Sequence, residues 1–135
     1  MSGYSGTPLA KKLGIKENNI VYLKSAPDNY LDLLSIVPEN VSFKKKLSRN
    51  LDMIHFFTKS RAELEGAIEK LQNSIKPGGM IWVSWPKKSS KVATDITEDV
   101  IREVILPRGL VDVKVCAIDE TWSGLKLVIR KELRG

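Results

Sequence analysis

The stretch Lys76–Lys88, KPGGMIWVSWPKK, joins a Pro-Gly-Gly segment to an apolar run that stops at a proline and two lysines. Pro77 favours a turn, and the glycines Gly78 and Gly79 permit the positive φ angles that many turns need. The apolar run Met80–Trp85 is typical of a strand covered on both faces, as in a parallel sheet. This stretch therefore predicts a turn followed by a buried central strand.

The segment that precedes it, Ser60–Ile75, has a helical period. Its apolar residues recur at spacings of three and four, and they are Leu64, Ala67, Ile68, Leu71 and Ile75. Ser60 followed by Glu63 forms a capping-box pattern that marks the start of the helix. A second apolar run, Leu51–Phe57 (LDMIHFF), comes just before. Strand, helix and strand in this order predict a βαβ unit with parallel strands.

Towards the N-terminus, the pattern predicts a helix over Pro8–Leu13 capped by Thr7, then a strand over Asn19–Lys24. Ser25 is predicted to cap a second helix, which carries an apolar stripe that includes Tyr30 and is ended by Pro38. The short run Val41–Phe43 leaves two alternatives. It is either a minimal edge strand with an extended return or not a parallel strand, because a parallel crossover normally takes a dozen or more residues.

Towards the C-terminus, the pattern predicts a helix that starts at Asp95 or Thr97 and ends at Leu106. Two alternating segments follow, Leu110–Ile118 and Leu125–Lys131. The six residues between them, DETWSG, suit a hairpin and are too few for a crossover. We therefore predict an antiparallel pair at the end of the sheet, with Trp122 in the hairpin loop.

The chain has 135 residues and a formal net charge of +6, which fits one soluble domain over residues 1–135 with a flexible N-terminal arm at residues 1–7. The polar start is unlike a signal peptide, and no apolar run is long enough to span a membrane. These features predict a cytoplasmic protein with no membrane partner. With one cysteine and one histidine, the sequence also predicts neither an intramolecular disulfide nor a metal site.

The order of these elements, with KPGGMIWVSWP after the central helix and a closing hairpin, resembles the class I methyltransferase fold. Three segments are similar to a small, functionally uncharacterised bacterial family with that fold. They are GTPLAKKLGIK, SWPKKSSKVATDITEDVIRE and GLVDVKVCAIDETWSGLKLVIRKELR. The resemblance covers most of the chain. It implies a three-layer α/β Rossmann-like sandwich, with a mostly parallel sheet of about six strands in a truncated methyltransferase topology.

The chain departs from the methyltransferase pattern at the cofactor site. The glycine-rich loop that follows the first strand in methyltransferases is replaced by residues 23–28, LKSAPD, without a glycine. The acidic residue at the end of the second strand is replaced by Phe43 and three lysines, and no N/D-P-P-Y motif follows LDMIHFF. These departures predict no cofactor, with S-adenosylmethionine (SAM) disfavoured by the missing glycine-rich loop.

Several residues near the predicted carboxyl ends of the strands are candidates for a ligand site. They are Ser25, Asp28, Tyr30, His55, Ser84, Trp85, Lys87, Lys88 and Trp122. His55 is the one candidate for a general base, and the alternative is a packed strand histidine bonded to a backbone carbonyl. No complete catalytic constellation is visible.

Three functions remain open from the sequence. The first is a catalytically degenerate methyltransferase-like domain that binds an anionic small molecule or a protein partner. The second is an atypical SAM-dependent methyltransferase, and the third is a nucleic-acid-binding module that uses the two lysine clusters, Lys44–Lys46 and Lys87–Lys91. An exposed first strand near the sheet edge would favour a homodimer.

Overall fold

A computed structural model describes residues 7–134 of the chain, in which six strands form one mixed sheet. The strands are β1 Ile20–Lys24, β2 Ser42–Lys44, β3 Leu51–Phe57, β4 Ile75–Pro86, β5 Leu110–Ala117 and β6 Trp122–Ile129. The α-helices are α1 Leu9–Leu13, α2 Tyr30–Leu34, α3 Arg61–Gln72 and α4 Glu98–Ile105. The predicted N-terminal arm lies outside the described residues except for Thr7.

The strand order across the sheet is β2-β1-β3-β4-β6-β5. The first four strands in this order are parallel, and β6 runs antiparallel to both β4 and β5. This arrangement confirms the predicted α/β class, the mostly parallel sheet of six strands and the antiparallel C-terminal hairpin. Among the described residues, no helix is long and apolar enough to cross a membrane.

The helices cover the two faces of the sheet and make three layers. Helices α3 and α4 pack on one face with Ile54 and Phe56, and α1 and α2 pack on the other with Met53 and Phe57. This alternation follows from the two-residue period of a strand. The side chains of Trp82 and Trp85 point to opposite faces, as their spacing of three predicts, and both are buried.

The Pro-Gly-Gly segment is not a positive-φ turn, so that prediction was wrong. Residues 75–86 are all in β4, and neither glycine of the segment has positive φ. The pairing with β3 passes from Leu51–Ile75 to Met53–Met80, so β4 carries a bulge here. Gly79 is required because a Cβ there would lie 3.0 Å from the carbonyl oxygen of Leu51.

The structure decides between the two alternatives for the segment after α2. Ser42–Lys44 forms a three-residue edge strand that pairs in parallel with β1, so the minimal edge strand is correct. Residues 45–50 return the chain across β1 to the start of β3, and Asn50 adopts a φ of 58° at the end of this return. Residues 45–50 contain no helix.

The start of α3 uses the predicted cap in a modified form. The Ser60 hydroxyl accepts a hydrogen bond from the Glu63 backbone N–H at 3.2 Å. The Glu63 carboxylate, however, accepts from the Thr58 hydroxyl, and the Thr58 oxygen accepts from the Ser60 N–H. The capping box is therefore closed through Thr58, whose side chain lies at the end of β3.

The two helices on the other face are shorter than predicted. Helix α1 has Pro8 and not Thr7 at its N-cap position, and α2 has Asn29 there, so the prediction that Ser25 caps α2 was wrong. Ser25 instead turns the chain out of β1 with a φ of 60°. Helix α2 ends at Leu34, well before Pro38, because Ser35 leaves the helical region with a φ of 67°.

The predictions for the C-terminal third were largely correct. Thr97 caps α4, where its hydroxyl accepts from the Val100 N–H. The hairpin loop is shorter than predicted, because Trp122, Ser123 and Gly124 all pair with β4 as residues of β6. Trp122 therefore lies in a strand and not in the loop.

Candidate functional site

Three buried polar side chains form a hydrogen-bonded row on the face of the sheet that α1 and α2 cover. The Tyr30 hydroxyl lies 2.7 Å from Nδ1 of His55, and Nε2 of His55 lies 2.7 Å from Oγ of Ser84. His55 and Ser84 are fully buried and Tyr30 is 2% exposed. A neutral imidazole donates through one nitrogen and accepts through the other, so both of its hydrogen-bonding capacities are used.

Each member of this row is positioned by a different element. Tyr30 is the first residue of α2, and His55 and Ser84 lie near the carboxyl ends of β3 and β4. In the sheet His55 pairs with Trp82, so Ser84 is a diagonal neighbour on the same face. The sequence identified all three residues as candidates, and the structure brings them together. The predicted backbone partner of His55 was wrong, because both partners are side chains.

Aromatic rings enclose the imidazole. Phe57 stacks on His55 with ring centroids 4.3 Å apart, and Tyr30 meets it edge-on at 5.2 Å. Trp122 meets Phe57 edge-on at 5.1 Å, which places this predicted site residue next to the row. Phe57 was not among the residues predicted for the site, although its position two residues after His55 puts it on the same face of β3.

Burial determines the charge state of the row. Desolvation lowers the pKa of His55 from 6.5 to about 3, and burial raises the pKa of the Tyr30 phenol. Both groups are therefore neutral at pH 7. His55 is thus fully buried, and both of its ring nitrogens are bonded to side chains within the fold.

The neutral histidine predicts a specific pH dependence of stability. Since the pKa of His55 is about 3 in the folded chain and about 6.5 when unfolded, the unfolded chain binds more protons between these values. The contribution of His55 to the free energy of unfolding is therefore complete well above pH 6.5. It decreases by about 1.4 kcal/mol for each pH unit between pH 6.5 and the folded pKa. Urea unfolding should give a free energy of unfolding about 2 kcal/mol lower at pH 5.0 than at pH 7.5.

The His55→Gln variant is the control for that measurement. It lacks the only histidine of the chain, so most of the change between pH 7.5 and 5.0 should disappear. An equal pH dependence in both proteins would contradict the burial of a neutral His55.

An open cavity lies at the carboxyl end of β1. Its volume is about 400 Å³, and the polar groups in its wall belong to Ser25, Asp28, Tyr30 and Lys45. Apolar side chains complete the wall, and they are Leu23, Ala26, Pro27 and Leu31. The wall is formed by the end of β1, the turn that follows it, the start of α2 and Lys45 just after β2, so the cavity lies at the carboxyl edge of the parallel strands, where α/β sheets bind ligands.

The remaining predicted residues lie apart from this cavity. Trp85 is packed against α3 and α4, and it lines a different cavity of about 680 Å³ together with Lys88. Lys87 is partly buried where its N–H donates to the Thr121 carbonyl at 2.8 Å. The sheet therefore separates the predicted residues into two groups. Within the described part of the chain, no cluster of His, Cys, Asp and Glu could hold a metal ion.

The solved structures that are similar to this chain include SAM-dependent methyltransferases. A SAM-dependent methyltransferase from Aquifex aeolicus matches with a TM-score of 0.64 and 16% identity, over 90% of this chain and 87% of that one. A complex of DhpI with SAH (S-adenosylhomocysteine) matches at 0.59 and 12% identity, over 91% and 81%. Magnesium protoporphyrin IX methyltransferase from Synechocystis PCC 6803 with bound SAM matches at 0.57 and 12%, over 91% and 74%.

These likenesses show that the chain has the class I methyltransferase-like Rossmann fold. No protein-family model and no curated protein matches the sequence. The prediction of no cofactor was wrong, because the fold is one that carries SAM or SAH in proteins that share it. The missing glycine-rich loop was a weaker indication than the architecture that surrounds it.

Proposed function

We propose that this chain is a methyltransferase-like domain that binds a small molecule of the SAM class at the carboxyl end of β1 and does not itself transfer a methyl group. The observation that supports the site is the cavity lined by Ser25, Asp28, Tyr30 and Lys45 at the carboxyl edge of the parallel strands. Its volume of about 400 Å³ lies within the range of small-molecule sites.

The side chains of the cavity fit a ligand that carries both charges. SAM has an ammonium group, a carboxylate, a sulfonium, ribose hydroxyls and an adenine ring. Lys45 would hold the carboxylate, Asp28 would hold a cationic group, and the exposed Ser25 hydroxyl would meet a ribose hydroxyl. Leu31, whose side chain is 53% exposed, offers apolar surface for the ring.

The backbone at Ser25 takes over part of the role of the missing glycine-rich loop. Its φ of 60° lies in the left-handed region, where glycine is the usual residue, so the chain turns out of β1 without one. Pro27 lacks an N–H, which removes one donor from this turn. The ligand would therefore be held mainly by side chains, with Lys45 as the group of greatest effect.

The absence of methyl transfer is proposed because the polar groups near the carboxyl end of β3 have structural roles. His55 is buried and bonded at both nitrogens. Thr58 donates to Glu63, and Ser60 caps α3. Thr58 and Ser60 lie where the N/D-P-P-Y motif follows the strand in methyltransferases, and the hydrogen bonds of their hydroxyls at the start of α3 leave neither hydroxyl free to orient an acceptor.

The test is isothermal titration of the chain with SAH. Saturable binding is expected, and Lys45→Glu should weaken it by about tenfold or more, because an attractive charge becomes repulsive. Lys46→Glu is the matched control, since it makes the same change in the next exposed residue, outside the cavity wall. No binding at millimolar SAH, or equal weakening by both variants, would contradict the proposed site.

The catalytic half of the proposal has its own assay. A cell extract serves as the source of acceptors. Adding the chain to this extract should not raise the rate at which SAM is converted to SAH above the rate in the extract alone. Conversion that Lys45→Glu abolishes would contradict the proposal and would favour an atypical methyltransferase.

A further inference from the structure

A second cavity lies at the opposite end of the sheet from the β1 cavity, where β1 and β3 begin. Its volume is about 250 Å³, and its wall includes Gly14, Lys16, Asn19, Asp52 and Lys126. Gly14 ends α1 with a φ of 89°, and a Cβ there would lie 3.3 Å from Cε of Met80. The absence of a side chain at this position keeps the space beside the lysines open.

Lys126 is the central residue of this cavity. It lies in β6, which is flanked by β4 and β5, so its backbone is inside the sheet and its side chain is partly buried. It forms no ion pair or side-chain hydrogen bond within residues 7–134. Burial lowers the pKa of its ammonium group, and the nearby Lys114 and Lys16 lower it further. Lys114 lies outside the cavity wall, and its Nζ donates to the Lys12 carbonyl at 3.0 Å, so Lys126 and Lys16 are the two lysines that line the cavity.

The other polar groups of the cavity already have partners or are donors. Asp52 accepts from the Ile20 N–H at 2.7 Å and from Nζ of Lys76 at 2.9 Å, so both of its oxygens are engaged. Oδ1 of Asn19 accepts from the Lys16 N–H, which leaves its NH₂ group as a donor. The single carboxylate in the wall, Asp52, is thus paired with Lys76, which lies outside the wall.

We propose that this cavity binds a small phosphate-type oxyanion, with Lys126 and Lys16 as its cationic ligands. An oxyanion would relieve the mutual repulsion of these two ammonium groups, and it would accept their N–H donors in charge-assisted hydrogen bonds. The cavity is about 250 Å³, so it suits a phosphate or diphosphate group and not a complete SAM molecule. The site is separate from the β1 cavity and does not depend on the proposed function.

The probe is inorganic pyrophosphate, added to the full chain in low-salt buffer and followed by isothermal titration. Saturable binding to one site is expected, and Lys126→Met should weaken it by about tenfold or more, since it removes a charged donor. Lys70→Met is the matched control, because Lys70 is an exposed lysine on α3, which covers the other face of the sheet. Equal loss of affinity in both variants would show diffuse electrostatic attraction and would overturn the site.

A thermal measurement separates this site from a folding defect. Lys126→Met removes a repelled, partly buried charge, so the variant should melt at or above the temperature of the unmodified chain. Pyrophosphate should raise the melting temperature of the unmodified chain and of Lys70→Met, but not that of Lys126→Met. A pyrophosphate shift that persists in Lys126→Met would overturn the proposal. SAH binding should be unchanged in Lys126→Met, whatever the outcome at the β1 cavity.

Discussion

Replacing His55 with alanine is expected to lower the free energy of unfolding by about 3–5 kcal/mol. The imidazole is fully buried and stacked on Phe57, so its removal leaves a cavity in the core. The hydroxyls of Tyr30 and Ser84 would both lose a partner, and a buried unpaired polar group is costly. Urea unfolding at pH 7.5, where His55 is neutral, measures this loss directly.

Ser84→Ala is the graded control for that variant. It removes one hydroxyl and leaves one imidazole nitrogen without its partner, so a smaller loss of about 1–3 kcal/mol is expected. If His55→Ala cost less than Ser84→Ala, the hydrogen-bonded row would not be the stabilising feature that its geometry indicates.

The second large effect is expected for Trp82→Ala, with a loss of about 3–5 kcal/mol. Trp82 is fully buried in β4 beneath α1, and its indole Nε1 donates to the Leu13 carbonyl at 2.9 Å. This bond satisfies a carbonyl at the end of α1 and ties that short helix to the central strand. Its loss would therefore add to the cavity left by the ring.

Two further variants are compared with Trp82→Ala by their free energies of unfolding. Trp82→Phe keeps most of the apolar volume but loses the bond to Leu13, so an intermediate loss is expected. Trp122→Ala removes an indole that is only partly buried, and its cost should be smaller than that of Trp82→Ala. Equal unfolding free energies for Trp82→Ala and Trp122→Ala would contradict the central role of Trp82.

The parts of the fold that could be predicted are those specified by local sequence. The start of helix α3 was located correctly because its apolar stripe and the cap at Ser60 lie within one segment. The predicted end was wrong, because α3 ends at Gln72 and Ile75 begins β4. The opposite orientations of Trp82 and Trp85 follow from spacing alone. The antiparallel hairpin follows from a connection that is too short for a crossover.

The parts that were wrong depend on contacts between distant segments. The Pro-Gly-Gly segment looks like a turn locally, but pairing with β3 extends it into a bulged strand. Trp122 was predicted to lie in a loop. In the structure it pairs with Pro86 of β4, and this contact between distant segments shows that β6 already begins at Trp122. Ser25 looked like a helix cap, whereas the chain needs its positive φ to leave β1.

The candidate site shows the same division. Tyr30, His55 and Ser84 were each identified from their place at the end of a predicted element. Their joining into one row depends on strand register and on the docking of α2, which the sequence does not specify. Lys45 was identified only as part of a basic run. It reaches the cavity wall because of the path that the chain takes after β2, and the sequence does not specify that path.

The central claim is that the ligand of this domain lies at the carboxyl end of β1. Backbone amide chemical shifts of isotope-labelled chain, recorded during a titration with SAH, test it most directly. The largest chemical-shift changes are expected at four residues that line the cavity, Ser25, Ala26, Asp28 and Lys45. Changes confined to residues outside this cavity, such as those around Trp85 and Lys88, would contradict the claim.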